Sequence, residues 1–127
     1  MRALVVVAHP DPESLTHRVA AELARGVAEN HRAEIADLAA EGFDPRFNPG
    51  DLAGFRHAAV QPADVLAEQA RIDRADALVL VYPVYWWSFP GLLKGWIDRV
   101  FTNGWAYDQN EQGLLQRLSV HLVALAG

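Results

Sequence analysis

The 127-residue sequence contains no cysteine, so disulfide bonds, thiolate metal sites and a cysteine nucleophile are excluded within it. Basic residues are also few, because 11 Lys and Arg stand against 16 Asp and Glu, which gives a formal net charge of −5. A protein that binds nucleic acid needs a broad basic surface, and the sequence therefore predicts no nucleic-acid partner. A small anionic ligand held in one local pocket is compatible with this charge balance.

Long apolar runs and glycine-rich nucleotide loops are absent as well. No run approaches the roughly 18 apolar residues that span a bilayer, so no insertion into a membrane is predicted. The sequence lacks Gly-x-Gly-x-x-Gly, which holds dinucleotides, and Gly-x-x-x-x-Gly-Lys-Ser/Thr, which holds nucleoside triphosphates. With 51% hydrophobic residues and a length typical of one core, residues 1–127 are predicted to form a single domain.

Apolar runs alternate with segments of helical spacing along the chain. Strands are predicted at residues 2–8, 33–38, 77–82 and 119–126. Helices are predicted over residues 15–30, 62–72 and 91–101, where apolar side chains recur every three or four positions. Residues 41–60 carry three phenylalanines among glycines and prolines and are predicted to be irregular.

The resulting β-α-β-α-β-α-β order is typical of a doubly wound parallel sheet with helices on both faces. In such open sheets, ligands bind beyond the carboxyl ends of the strands, where the strand order reverses. The segments after the first and third strands are therefore the predicted places for chemistry.

The segment after the first strand runs from His9 into the first predicted helix. A helix N-terminus presents unpaired N–H groups, and Ser14 and Thr16 add hydroxyl donors, so this segment can hold a phosphate without a basic residue. The same residues suit a plain helix start, with Asp11 or Ser14 as the N-cap. On the residue pattern alone, capping is favoured over phosphate binding.

Four aromatic residues lie within five positions after the third strand: Tyr85, Trp86, Trp87 and Phe89. A loop bounded by prolines cannot bury so many rings, so several are predicted to stand at the carboxyl edge of the sheet. Such a surface suits a flat apolar ligand, with loop packing or a dimer contact as the alternative. A second aromatic cluster, residues 105–107, is predicted to be packing unless a second copy of the chain brings it to the first.

The remaining histidines have no metal-ligand spacing: His17, His31, His57 and His121. No metal site is therefore predicted, and His121 is expected to lie in the core because it falls inside an apolar strand. No Ser/His/Asp or paired-carboxylate arrangement is apparent, so no catalytic side chain is predicted.

The sequence resembles the flavodoxin-like NAD(P)H:quinone oxidoreductases, the family that includes DT-diaphorase and the ancillary flavoproteins of potassium-efflux systems. The resemblance rests on VVVAHP at residues 5–10 with SLT at residues 14–16, on ADALVLVYP at residues 75–83, and above all on YWWSFPGLLKGWIDRVF at residues 85–101 with GWAY at residues 104–107. It extends over nearly the whole chain. It implies a three-layer flavodoxin-like α/β fold with strand order 2-1-3-4, in which the fifth strand of the family is missing.

The resemblance implies a flavin cofactor, FAD or FMN, and two-electron hydride transfer from NAD(P)H to quinones or related electrophiles. It also implies a cytoplasmic homodimer. The implied flavin-binding residues are His9, Ser14, Leu15, Thr16, Pro83, Val84, Tyr85, Trp86, Trp87, Ala126 and Gly127. Backbone N–H groups of residues 84–87 would stabilise negative charge on the reduced ring. The implied nicotinamide- and quinone-binding residues are Trp87, Trp105 and Tyr107, with Tyr107 reaching the site from a partner subunit.

The sequence also departs from the family pattern. The family ends the fourth strand with Thr-Thr-Gly-Gly, whereas this sequence ends with Leu125, Ala126 and Gly127, so two hydroxyls that contact the flavin are missing. The last strand and helix of the family are missing too. A truncated chain is the favoured explanation, and a short relative whose sheet is completed by a partner is the alternative. The alternative function is a flavodoxin-like ancillary or regulatory subunit, for example of a potassium-efflux transporter, with incidental redox activity.

Overall fold

The computed structural model describes residues 1–107, 113 and 115–127. Its elements, in chain order, are β1 Arg2–Val7, α1 Leu15–Ala28, β2 Arg32–Asp37, α2 Pro49–Phe55, α3 Ala63–Asp73, β3 Ala77–Pro83, α4 Gly91–Val100 and β4 Ser119–Leu125. The four strands are parallel and lie in the order β2-β1-β3-β4. The predicted fold class and strand order are confirmed. Within the described residues, no helix is both long and apolar enough to cross a membrane.

The two central strands explain the two most apolar runs of the sequence. β1 and β3 are covered on both faces, so neither shows the polar alternation of a half-exposed strand. On one face, Val5, Val7 and Val81 pack against α1. On the other face, the sheet packs against α3 and α4 through a second set of buried side chains, among them Leu4, Leu78, Ile72, Leu93 and Trp96. The helices therefore form two layers with the sheet between them.

The prediction of an irregular segment at residues 41–60 was wrong, because this segment contains α2. The helix begins with a capping box, in which Asn48 Oδ1 accepts the N–H of Asp51 at 3.1 Å and Asp51 Oδ2 accepts the N–H of Asn48 at 2.8 Å. Pro49 follows in the first helical position, which proline favours. These start signals outweigh the glycines that argued against a helix.

The expectation that His121 lies in the core was also wrong, because its side chain is exposed on the edge strand β4. β4 pairs with β3 along one side, and the described residues leave Val120 and Leu122 exposed as well. His121 Nε2 instead lies 3.2 Å from the hydroxyl of Ser119. An apolar strand is buried only where other elements cover it, and that cover is not encoded within the strand itself.

A buried arginine joins the helices on one side of the sheet. The Arg99 side chain on α4 is only 2% exposed, and its Nε donates to Asp51 Oδ2 of α2 at 2.9 Å. Its two Nη atoms donate to the carboxylate of Asp64 on α3 at 2.7 and 2.9 Å, and Nη1 also donates to the carbonyl oxygen of Asp44. These hydrogen bonds hold the pKa of Asp64 below its ordinary value and the pKa of Arg99 above its own.

Replacing Asp64 with Asn should destabilise the protein at neutral pH and have less effect in acid. The folded-state pKa of Asp64 is lowered, so its ionised form stabilises the fold above the ordinary carboxyl pKa, and that contribution is lost as the pH falls through the folded-state value. Urea midpoints of the wild type and Asp64→Asn, measured at pH 7 and at about pH 2.5, should differ at pH 7 and differ less in acid. An equal difference at both pH values would contradict this account.

Substituting Gly95 should destabilise the fold, whereas substituting Gly91 in the same helix should not. A Cβ on Gly95 would overlap the carbonyl oxygen and side chain of Pro45, while a Cβ on Gly91 would meet nothing within 4 Å. Overpacking against rigid backbone outweighs the better helix propensity of alanine, so we expect Gly95→Ala to cost about 2 kcal/mol or more. Gly91→Ala is the matched control, and its urea midpoint should equal or exceed that of the wild type.

Candidate binding site at the carboxyl edge of the sheet

The predicted site segments meet at one edge because β1, β3 and β4 are parallel neighbours. The N–H of Ala8 donates to the carbonyl oxygen of Val81 at 3.2 Å, which holds the start of the first loop against β3. The N–H of Val84 donates to the carbonyl oxygen of Leu125 at 2.9 Å, which holds the aromatic loop against the end of β4. Three strand ends therefore open onto the same side of the molecule.

The loop after β1 is fixed by its own hydrogen bonds. The N–H of Asp11 donates to His9 Nδ1 at 3.0 Å, the N–H of Glu13 donates to Asp11 Oδ1 at 2.9 Å, and the N–H of Ser14 donates to the Asp11 carbonyl oxygen at 3.1 Å. Because His9 Nδ1 accepts a hydrogen bond, the proton of the neutral ring lies on Nε2. The Nε2–H of His9 has no acceptor among the described residues and remains available to a ligand.

Ser14 is the N-cap of α1, as the capping interpretation predicted, and its Oγ accepts the N–H of His17 at 3.1 Å. Capping leaves other donors unused. The N–H groups of Leu15 and Thr16 reach no acceptor within the described part of the chain, and the hydroxyl of Thr16, a buried residue, has no hydrogen-bond partner there. Unpaired N–H groups at a helix start attract anions, so this turn can cap the helix and still receive a phosphate.

The structure contains a Ser/His/Asp arrangement that was not predicted from the sequence. Ser14 Oγ lies 2.9 Å from His17 Nδ1, and His17 Nε2 lies 2.9 Å from Asp37 Oδ2 at the end of β2. Ser14 and His17 are one helical turn apart, which the sequence could have indicated. Asp37 is 20 residues further along the chain, and only the pairing of β2 with β1 brings it to this place.

The aromatic loop forms a tight two-residue turn. Tyr85 and Ser88 exchange backbone hydrogen bonds of 3.1 and 3.0 Å, which leaves Trp86 and Trp87 as the two central residues. Their φ angles are +47° and +61°, in the left-handed region that usually takes asparagine or glycine. Holding a bulky residue there costs on the order of 1–3 kcal/mol, and strain of this kind concentrates at functional sites.

The tryptophan rings of this turn stand outward, as predicted. Trp86 is 87% exposed and Trp87 is 86% exposed, with ring centroids 5.5 Å apart. Tyr85 is also exposed, whereas Phe89 packs against Tyr82 with ring centroids 4.8 Å apart. Three of the four aromatic side chains are thus presented at the edge of the sheet, and the fourth anchors the loop to the core.

A groove of about 330 Å³ separates the aromatic turn from the end of β4. It is lined by Val84, Trp86, Trp87, Ala126 and Gly127. The N–H groups of Trp86 and Trp87 have no acceptor in the described residues, whereas those of Val84 and Tyr85 are already bonded. The backbone donors expected from residues 84–87 are therefore reduced to two. Rings on one side, small residues on the other and two free N–H groups suit a flat ligand with acceptor atoms.

The second aromatic cluster divides into two roles. Trp105 packs against Phe101, with ring centroids 5.8 Å apart, and its indole N–H donates to the Asp73 carboxylate at 3.1 Å. Tyr107 is 41% exposed and lines a different cavity, of about 470 Å³, beside Phe55 of α2. Within one chain, neither Trp105 nor Tyr107 borders the groove beside Trp87.

Comparisons with known proteins agree with this architecture. A family model described as a flavodoxin-like fold matches residues 1–127. The ribosyldihydronicotinamide dehydrogenase (quinone) of Pongo abelii is 32% identical over 138 residues, which cover 91% of this chain and 58% of the relative. The chain spans about half the length of the curated relatives it matches, with shares of 48% and 58% in two of them.

Solved structures give the same result. The NAD(P)H:quinone oxidoreductase from Methanothermobacter marburgensis superimposes with a TM-score of 0.91 at 32% identity, over 100% of this chain and 67% of that one. The general stress protein 14 of Treponema denticola, solved in complex with FMN, has a TM-score of 0.71 at 28% identity, over 100% of this chain and 63% of that one. The chain therefore belongs to the flavodoxin-like fold family, and its relatives in that family include NAD(P)H:quinone oxidoreductases.

Proposed function

We propose that residues 1–127 form one flavin-binding domain of an NAD(P)H oxidoreductase that reduces quinones or related electrophiles. The observation that carries this proposal is the strained, exposed Trp86–Trp87 turn beside a groove at the carboxyl edge of the sheet. Strain and exposed indole rings both cost stability, and a ligand that stacks on the rings would offset that cost. Relatives whose names include quinone dehydrogenase activity or bound FMN support the choice of ligand.

The described residues fit FAD or FMN. The phosphate end would meet His9, Ser14, Leu15 and Thr16, where two N–H groups and a hydroxyl have no partner among residues 1–107, 113 and 115–127. The ring end would lie along residues 83–87, opposite Ala126 and Gly127. When bound, the flavin accepts two electrons from reduced nicotinamide and passes them to the acceptor. The free N–H groups of Trp86 and Trp87 would stabilise negative charge on the ring, and their indoles would exclude water from it.

The nicotinamide and quinone would share a place against Trp87. Tyr107 does not border this groove in its own chain, so a homodimer would be needed to bring the Tyr107 ring of a second copy to it. Exposed rings at Phe47, Phe55 and Trp86 offer apolar surface for such a contact. We place this activity in the cytoplasm, where reduced nicotinamide is available.

The direct test is the absorption spectrum of the purified chain incubated with FMN or FAD. We expect a flavin spectrum that stays with the protein through gel filtration and bleaches on addition of NADH or NADPH under nitrogen. A protein that retains neither flavin would overturn the proposed activity and favour the ancillary-subunit alternative.

Two substitutions at Trp87 should separate ligand binding from backbone strain. Trp87→Ala and Trp87→Gly both remove the indole, so each should weaken flavin binding by about 10-fold, as expected for a lost aromatic contact. Only glycine adopts a φ of +61° without strain, so Trp87→Gly should be more stable than Trp87→Ala by about 1 kcal/mol. Flavin titrations and urea denaturation measure the two effects, with Leu66→Ala on α3 as an exposed control. Equal stability of the two variants would contradict the strained turn.

Mixing the Trp87→Ala and Tyr107→Ala variants should test the composite site. Consider a heterodimer of one Trp87→Ala subunit and one Tyr107→Ala subunit. If Tyr107 serves the groove of the other subunit, then one of its two sites carries both substitutions and the other site is intact. After subunit exchange, about a quarter of all sites should be intact, since half of the dimers are mixed and each has one intact site, so quinone reduction should rise above that of either variant alone. No rise after exchange, with flavin retained by Tyr107→Ala, would show that Tyr107 does not serve the groove of the other subunit.

A further inference from the structure

The hydrogen-bonded chain of Ser14, His17 and Asp37 lies beside the turn that would hold the flavin phosphate. Its histidine is largely enclosed, with side-chain exposures of 13% for His17 and 24% for Asp37. Together with His9, these two side chains line a cavity of about 150 Å³ between the loop after β1 and the end of β2. This series of hydrogen-bonded side chains therefore connects the interior of the loop after β1 with the start of α1.

The partners of His17 determine where its proton lies. Asp37 accepts with both oxygens, since Oδ1 takes the N–H of Ala40 at 3.2 Å and Oδ2 faces His17 Nε2 at 2.9 Å. The carboxylate thus holds a proton on Nε2, and Nδ1 of the neutral ring is an acceptor. The hydroxyl of Ser14 then donates to Nδ1, while its oxygen accepts the backbone N–H of His17.

In this neutral state, Ser14 cannot donate to a ligand, because its single proton points to His17. An anion at the start of α1 would face a serine lone pair beside the free N–H groups of Leu15 and Thr16. If His17 gains a proton, Nδ1–H becomes the donor to Ser14 Oγ, and the hydroxyl proton is released to point outward. The imidazolium also adds a positive charge, balanced by Asp37, behind the helix start.

We propose that His17, held by Asp37, is a positioning residue that makes the Ser14 hydroxyl a donor to a bound phosphate group, so that phosphate binding is coupled to proton uptake. This inference rests on the proposed function for the identity of the ligand, the phosphate of a flavin. His17 and Asp37 lie outside the groove and the aromatic turn, and the proposal gives both residues a role in phosphate binding.

Few other charged or titratable side chains face His17 from the elements packed around it. β1 and β3 present valines to α1, and β2 presents Asp37 on that face while Glu34 points to the opposite face and pairs with Arg71. Asp11 and Glu13 in the preceding loop and Arg18 on α1 are exposed.

The other nearby titratable group is His9, whose ring centroid lies 6.2 Å from that of His17. Protonating His9 on Nδ1 would break its hydrogen bond from the N–H of Asp11. Protonating His17 only reverses the direction of its hydrogen bond with Ser14. Of the two rings, only His17 can accept a proton without losing a hydrogen bond to the described residues.

A catalytic triad uses the same residue types, but the geometry here favours positioning. Ser14 Oγ is the cap of the helix that carries His17 and is held there by the backbone N–H of His17 at 3.1 Å. An oxygen fixed in the cap of its own helix is oriented to bind at the helix start and not to attack a substrate.

The test compares FMN with riboflavin, which has the same ring and lacks the phosphate. Binding is followed by quenching of flavin fluorescence between about pH 5.5 and pH 8, the range in which imidazole titrates. Near pH 6, His17→Gln should weaken FMN binding by about 10-fold and leave riboflavin binding within about 2-fold of the wild type, because only FMN contacts Ser14. The loss should shrink towards pH 8.

Proton uptake is measured by titration calorimetry of FMN binding in two buffers of different ionisation enthalpy. The wild type should take up a larger fraction of a proton than His17→Gln, and ionisation of the phosphate itself cancels in this comparison. Asp37→Asn keeps a polar partner for His17 and should move the uptake to lower pH, because the imidazolium loses its counter-charge. His31→Gln, at an exposed histidine, is the control and should behave as the wild type.

The outcomes separate this inference from the proposed function. If riboflavin and FMN bind but His17→Gln changes neither the proton count nor the preference for FMN, then the inference is overturned and flavin binding stands. If neither flavin binds, then the proposed function fails, and inorganic phosphate replaces FMN as the probe. A shift of the His17 ring proton resonances towards the protonated form on adding phosphate would support the coupling, and no shift would overturn it.

Discussion

The structure depends on the parallel pairing of β1 with β3. Both strands are buried on both faces, so their backbone N–H and C=O groups must be paired within the sheet. Parallel pairing places their carboxyl ends side by side, where the chain must leave the sheet through two neighbouring loops. Those loops contain the donors at the start of α1 and the tryptophan turn. The site therefore follows from a backbone requirement of the core, and the side chains of the loops determine which ligand it suits.

The strands that are buried on both faces could be predicted from the sequence. β1 and β3 are covered everywhere, so their apolar runs were sufficient evidence. Burial of His121 could not be predicted from β4 alone, because the strand is apolar but the described residues leave it largely uncovered. The helix α2 was missed for a different reason. Glycines and prolines in this segment disfavour a helix, whereas the capping box of Asn48 and Asp51, which is visible in the sequence, starts one.

Within the site, local features were predictable and contacts between distant segments were not. The outward position of Trp86 and Trp87 followed from an aromatic loop between prolines, and capping by Ser14 followed from its place before a helix. The contact of His17 with Asp37 requires β2 to pair in one register with β1. The different surroundings of Trp105 and Tyr107 depend likewise on where α3 and α2 pack. Such contacts can be predicted only when the three-dimensional topology is known.

The uncovered side of β4 affects how association of this chain should be interpreted. Among the described residues, β4 pairs only with β3, and its other side presents a row of backbone donors and acceptors. Two copies of the described residues can therefore meet through exposed aromatic rings or strand to strand at this edge. The proposed composite site requires a contact that brings Tyr107 of one copy to the groove of the other. A measured dimer mass alone does not distinguish an assembled site from an extended sheet.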